Sequence, residues 1–85
     1  MWDELSFMQG KLRRACLFAL ENGPRTPSFI SRTLGANLSH VSRALRELEA
    51  KGFVKCMTNV PKNKIYQITE DGKKIVLSLR EMERP

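Results

Sequence analysis

Arg43 and Arg46 lie three residues apart in the run Leu38-Ser39-His40-Val41-Ser42-Arg43-Ala44-Leu45-Arg46. A guanidinium presents a planar fork of N–H donors that matches the edge of guanine or a phosphate. A serine hydroxyl can bond to either a base or a phosphate. On a helix turning ~100° per residue, Leu38, Val41, Ala44, Leu45 and Leu48 form an apolar stripe centred on Val41. Ser39, Arg43 and Arg46 then occupy the opposite face, flanked by His40 and Ser42. The acids Glu47 and Glu49 come only after Arg46, so the positive end of this helix is left open to a phosphate.

A second group follows close behind. Asn59, Lys62, Asn63 and Lys64 cluster together, with Lys55 ahead of them. Lysines in a loop attract a phosphate backbone without reading its sequence, through release of counterions. The charge distribution agrees: residues 25–64 hold eight basic residues and two acids, which is the whole of the chain's +6. Such concentration is the footprint of a polyanion binder.

Other chemistries find no support. His40 is the single histidine, with no partnered nucleophile or orienting acid and no metal-ligand spacing around it. There is no glycine-rich phosphate loop, nucleophile elbow or carboxylate pair. No catalytic residue, metal site or cofactor is therefore expected, and the chain does not read as an enzyme. Cys16 and Cys56 have no Cys-x-x-Cys spacing and are expected as reduced core thiols.

The elements that must hold these side chains can be read from periodicity and caps. A first helix is expected over about Ser6 to Asn22, with a capping box at Ser6-x-x-Gln9. Its inward face would carry Leu12, Cys16, Ala19 and Leu20, and Asn22-Gly23-Pro24 would end it. Thr26-Pro27 opens a short second helix, with Ile30 and Leu34 inward. Gly35-Ala36-Asn37 turns the chain, and Asn37 caps a third helix that ends at Lys51-Gly52. The period then changes. Phe53 to Met57 and Lys64 to Ile68 read as two strands joined by Thr58 to Asn63, a hairpin with a basic tip. A last helix begins at Thr69, with Ile75, Leu79 and Met82 on one stripe and Gly72 weakening its first turn.

The expected fold class is mostly α with a small antiparallel β-hairpin (α+β), in the order helix, helix, helix, hairpin, helix. That is a winged helix-turn-helix forming one domain over residues 1–85. Such a unit places its second helix in the DNA major groove. The expected function is sequence-specific binding of double-stranded DNA as a transcriptional regulator. The alternative is a winged-helix protein-interaction module within a larger transcription or processing complex.

Eighty-five residues bury only a small core. Trp2 and the cluster Leu5, Phe7 and Met8 form either a lid on the core or part of a dimer surface. With Leu77 and Met82 at the other end, and so small a core, a homodimer is expected, its two recognition helices ~34 Å apart. No apolar run approaches the ~20 residues of a membrane span. Met1-Trp2-Asp3-Glu4 lacks the start of a secretion signal. The expected compartment is the cytoplasm, with no membrane partner.

The stretch Thr26-Pro27-Ser28-Phe29-Ile30-Ser31-Arg32-Thr33-Leu34-Gly35, with Leu38 to Val54 and Tyr66 to Lys73, resembles the MarR and ArsR superfamily of winged-helix regulators, most of all its short archaeal members. The most specific part is Val41-Ser42-Arg43-x-Leu45-x-x-Leu48-x-x-x-Gly52-Phe53-Val54. The resemblance implies a recognition helix at 38–51, a wing at 57–65 and DNA-facing Ser39, His40, Ser42, Arg43 and Arg46. Phe29 departs from it, standing where such regulators place a polar or acidic residue. The long flanking helices that build the MarR ligand pocket and the cysteine motif of ArsR metal sensors are also missing, so no small-molecule effector is expected.

Overall fold

The computed structural model describes residues 10–58 and 64–83. Helix α1 spans Lys11–Ala19 and starts at Gly10, which supplies no side-chain cap; the capping box at Ser6 and Gln9 lies outside the described residues. Cys16 and Leu20 are fully buried as expected, and so is Leu17, which the one-face reading left out. The reason is that α1 is covered from several sides, since it packs against every other helix.

Helix α2 spans Pro27–Leu34, and its start is fixed by local chemistry. The Phe29 N–H donates to Thr26 Oγ1 at 3.1 Å, and Pro27 takes the position where a missing N–H costs nothing. Gly35, with φ at 65°, ends it in the left-handed conformation that glycine adopts without strain. Ser31 Oγ donates to the Ala36 carbonyl at 2.6 Å and braces the turn into the next helix.

Helix α3 spans Leu38–Ala50, with the Asn37 side chain accepting from the Ser39 N–H at 2.8 Å. Val41, Ala44, Leu45 and Leu48 are buried. Leu38 departs from the expected stripe and is 47% exposed. It is the first residue of α3, about 60° around the axis from Val41 at the usual helical turn. The helix closes with the Phe53 N–H donating to the Leu48 carbonyl at 3.0 Å, which folds Phe53 back into the core.

Phe53 is thereby taken from the strand the sequence suggested. The hairpin consists of β1, Val54–Cys56, and β2, Tyr66–Ile68, antiparallel with Val54 opposite Ile68 and Cys56 opposite Tyr66. One further bond, from the Met57 N–H to the Ile65 carbonyl at 2.7 Å, extends it towards the tip. On the other edge of β2, Arg25 and Tyr66 exchange backbone bonds of 3.0 and 2.9 Å. This single-residue bridge ties the start of the helix-turn-helix to the hairpin.

Helix α4 spans Glu70–Glu83. Thr69 Oγ1 accepts from the Gly72 N–H at 3.1 Å and donates to the Gly52 carbonyl at 2.6 Å, so one side chain caps α4 and pins it to the turn after α3. Gly72 is required there: a Cβ at this position would stand 2.2 Å from the Phe53 carbonyl oxygen. Val76 and Leu79 enter the core, while Leu77 and Met82 are 63% and 65% exposed. The order of elements and the antiparallel hairpin make a winged helix-turn-helix.

Candidate nucleic-acid interface

The buried stripe of α3 decides what its other side presents. With Val41, Ala44, Leu45 and Leu48 directed into the core, Ser39, His40, Arg43 and Arg46 are exposed and Ser42 is half-buried. All five are therefore on the expected helix, with Ser42 at the margin. The first turn of α3 contains no acid, so its unpaired N–H groups and positive dipole end meet no competing carboxylate of their own.

The wing is less completely placed. Lys55 on β1 and Lys64 at the hairpin's return are exposed. Lys62 and Asn63, with Asn59, lie outside the described residues. Arg32, in the last turn of α2, adds an exposed cation on the helix-turn-helix.

Two arrangements were not foreseen from sequence. The first is an ion-pair relay. Arg13 Nε on α1 donates to Glu47 Oε1 on α3 at 2.9 Å, and Glu47 Oε2 lies 3.8 Å from Arg43 Nε. The hydrogen bond from Arg13 is the main cause holding the Glu47 carboxyl below its ordinary range, and the charges of Arg13 and Arg43 add to it. Burial opposes the shift without reversing it. An open groove of about 360 Å³ runs beside this relay, between the start of α1 and α3, with Lys11, Leu12, Arg13, His40, Arg43 and Glu47 on its walls.

The second is a stack. The Arg25 guanidinium lies over the Phe29 ring, 4.9 Å from its centroid, and Phe29 is 48% exposed. The ring that departs from the family pattern is thus partly covered by a cation rather than by core. Arg25 stands two residues before α2, in the backbone bridge to Tyr66, so no helical spacing rule announced the stack in the sequence.

The cysteines take no part in this surface. Cys16 is fully buried and its thiol is pushed up to about 11 by loss of solvation. Cys56 is half-buried and its Sγ donates to the Thr58 carbonyl at 3.2 Å. Both are free thiols. Among the described residues no group of three or more His, Cys, Asp or Glu side chains could hold a metal ion, and no helix is long and apolar enough to cross a membrane.

A family model described as HxlR-like helix-turn-helix matches residues 7–84. Solved structures with a similar fold include the transcriptional regulator BldR from Sulfolobus solfataricus, 26% identical with a TM-score of 0.75. The match covers 82% of this chain and 52% of BldR, so the chain spans about half the length of that regulator. The reduced form of the transcriptional regulator YodB from B. subtilis is 23% identical with a TM-score of 0.85, covering 98% of this chain and 84% of YodB. A homodimeric winged helix-turn-helix DNA-binding domain from Mycobacterium bovis, described as a possible ArsR-family regulator, is 23% identical with a TM-score of 0.76. That match covers 91% of this chain and 71% of the other. No curated protein sequence matches the chain.

Proposed function

The chain belongs to the HxlR-like helix-turn-helix family, and on that premise we propose that it binds double-stranded DNA sequence-specifically as a transcriptional regulator and not as an enzyme. The observation that carries this reading is the outer face of α3. Four exposed polar side chains, Ser39, His40, Arg43 and Arg46, stand on a helix whose Val41, Ala44, Leu45 and Leu48 are taken up by the core. A helix so placed fits the major groove, where Arg43 and Arg46 meet guanine edges while Ser39, His40 and Ser42 meet bases or phosphates. Lys62, Asn63 and Lys64 on the wing then lie along the backbone or in the minor groove and supply affinity more than sequence.

The reading extends to residues 1–85 as one DNA-binding domain, acting in the cytoplasm as a homodimer on a pseudo-palindrome, without cofactor or small-molecule effector. It retains the wider likeness to MarR and ArsR regulators, short archaeal members among them. The exposed Leu77 and Met82 on α4 favour the dimer.

The test is a fluorescence titration of the protein against a duplex selected from a randomised pool and against unselected duplex, across a salt series. Binding should weaken steeply with salt, each neutralised phosphate adding ~0.9 to the log–log slope. The selected duplex should bind orders of magnitude more tightly than the random one. Equal affinity for both duplexes would remove sequence-specific regulation and leave the protein-interaction module as the better account.

A further inference from the structure

We propose that Arg13, on α1 rather than on the recognition helix, sets DNA specificity by holding the Glu47 carboxylate off Arg43. The proposal rests on the DNA-binding reading above and assigns a positioning residue to it.

Arg43 and Glu47 are four residues apart on α3 and share one flank of the helix. Left to themselves, a guanidinium and a carboxylate at this spacing can close into a two-pronged pair. That closure would occupy the N–H fork that Arg43 needs for guanine. In the structure it has not happened. Glu47 Oε1 is committed to Arg13 Nε at 2.9 Å, a charge-assisted hydrogen bond, while the approach of Oε2 to Arg43 Nε is 3.8 Å, too long for one. The Arg43 side chain stays 77% exposed. The order of the pair works in the same direction, because an acid N-terminal to its base is the better arrangement along a helix, and here the base comes first.

Arg13 has the better position for the carboxylate. Its side chain is 31% exposed against 77% for Arg43, so its bond to Glu47 is less weakened by water and salt. It also cancels a negative charge that would otherwise stand beside the phosphates. Without Arg13, Glu47 loses the cation that holds Oε1, while Arg43 Nε still stands 3.8 Å from Oε2, and the reading side chain is drawn back along its own helix. The effect on DNA is then indirect, through Arg43, and removing the carboxylate should undo it.

The experiment compares wild type, Arg13→Gln, Glu47→Gln and their double variant, together with Arg43→Ala with and without Arg13→Gln, on the selected and the unselected duplex. Thermal unfolding is recorded for each. Arg13→Gln is expected to bind the selected duplex on the order of tenfold more weakly, the scale of one lost base contact, with a much smaller change on unselected DNA. Adding Glu47→Gln should restore most of the lost preference, since no carboxylate remains to capture Arg43. Glu47→Gln alone should keep the preference and bind both duplexes somewhat more tightly. In an Arg43→Ala background, Arg13→Gln should leave the ratio of the two affinities unchanged, any further loss falling equally on both duplexes.

A structural brace between α1 and α3 would give the opposite pattern, because the double variant would bind no better than Arg13→Gln. That result would overturn the proposal, as would equal losses on both duplexes. Should Arg13→Gln unfold, Glu47→Gln alone decides: loss of sequence preference in that variant would make Glu47 itself the support of Arg43 and overturn the role given to Arg13. Wild type failing to prefer any duplex would instead defeat the DNA-binding reading.

Discussion

Helices α3 and α4 are built from similar material and end up with opposite surfaces. Each is capped by a polar side chain, Asn37 for α3 and Thr69 for α4, and each sends apolar residues into the same core. In α3 that core takes Val41, Ala44, Leu45 and Leu48, leaving an outer face of arginine, serine and histidine. In α4 it takes Val76 and Leu79, with Ile75 half-buried, while Leu77 and Met82 face out. Their first turns differ in the same sense: α3 has no acid there, whereas α4 has Glu70 and Asp71. One helix keeps its positive end open to an anion; the other neutralises it and shows apolar surface. On the proposed reading the two helices meet different kinds of partner, a polyanion on α3 and, through Leu77 and Met82, a second copy on α4.

The largest expected effect tests the core side of this contrast. Leu45→Ala should cost ~2–5 kcal/mol in urea unfolding, because the site is fully enclosed and a cavity remains. Leu77→Ala should stay within ~0.5 kcal/mol at low protein concentration. If α4 packs against a second copy, that small cost should grow with concentration, and sedimentation should show the variant dissociating earlier than wild type. A concentration-independent loss as large as that of Leu45→Ala would mean that α4 has no free face.

The next effect tests the reading side. Arg43→Ala should cost on the order of 1–3 kcal/mol on a selected duplex and much less on random DNA. Changing Lys62 and Lys64 together to Ala should weaken both duplexes alike and flatten the salt slope. A paired affinity series measures both. If Arg43→Ala weakens the two duplexes equally, Arg43 holds phosphate, and reading passes to Ser39, His40, Ser42 or Arg46.

Much of this was legible in the sequence wherever its cause was local. Thr26-Pro27, Asn37 and Thr69 announce three helix starts because a cap needs only the next few residues, and the structure shows all three bonds. The stripe of α3 repeats at the helical period, which fixes which side is outward. What could not be read depends on packing between distant segments. Arg13 and Glu47 are 34 residues apart, and no spacing rule connects them. Leu17 is buried because several helices cover α1, a fact its own periodicity does not contain. Phe53 has a strand-like composition, yet the chain reversal at Gly52 folds it into the close of α3. Gly72 reads as a weak point in a helix; its reason is the Phe53 carbonyl oxygen that leaves no room for a Cβ.

The smallest effect probes how dry the core behind α3 is. Cys16 lies in the same buried cluster as the α3 stripe, on the helix that packs against α3. Burial pushes its thiol from the ordinary 9.0 up to about 11. Below pH 9 the thiol is protonated in both folded and unfolded chains and adds no pH dependence. Between pH 9 and 11 the unfolded chain releases the proton while the folded chain keeps it. The unfolded state therefore binds fewer protons, and stability falls as pH rises. The part due to Cys16 should be roughly 1 kcal/mol by pH 10. Tyr66, raised mainly by burial, works in the same direction, so the total fall is not diagnostic. The difference between wild type and Cys16→Ala is. The substitution removes a few buried atoms, which offsets stability by an amount independent of pH, and it removes the thiol titration altogether. Urea unfolding of both proteins from pH 7 to pH 10 should give curves that converge as pH rises, because wild type alone loses the Cys16 share. Parallel curves would mean that water reaches the thiol and that the backing of α3 is wetter than its burial implies.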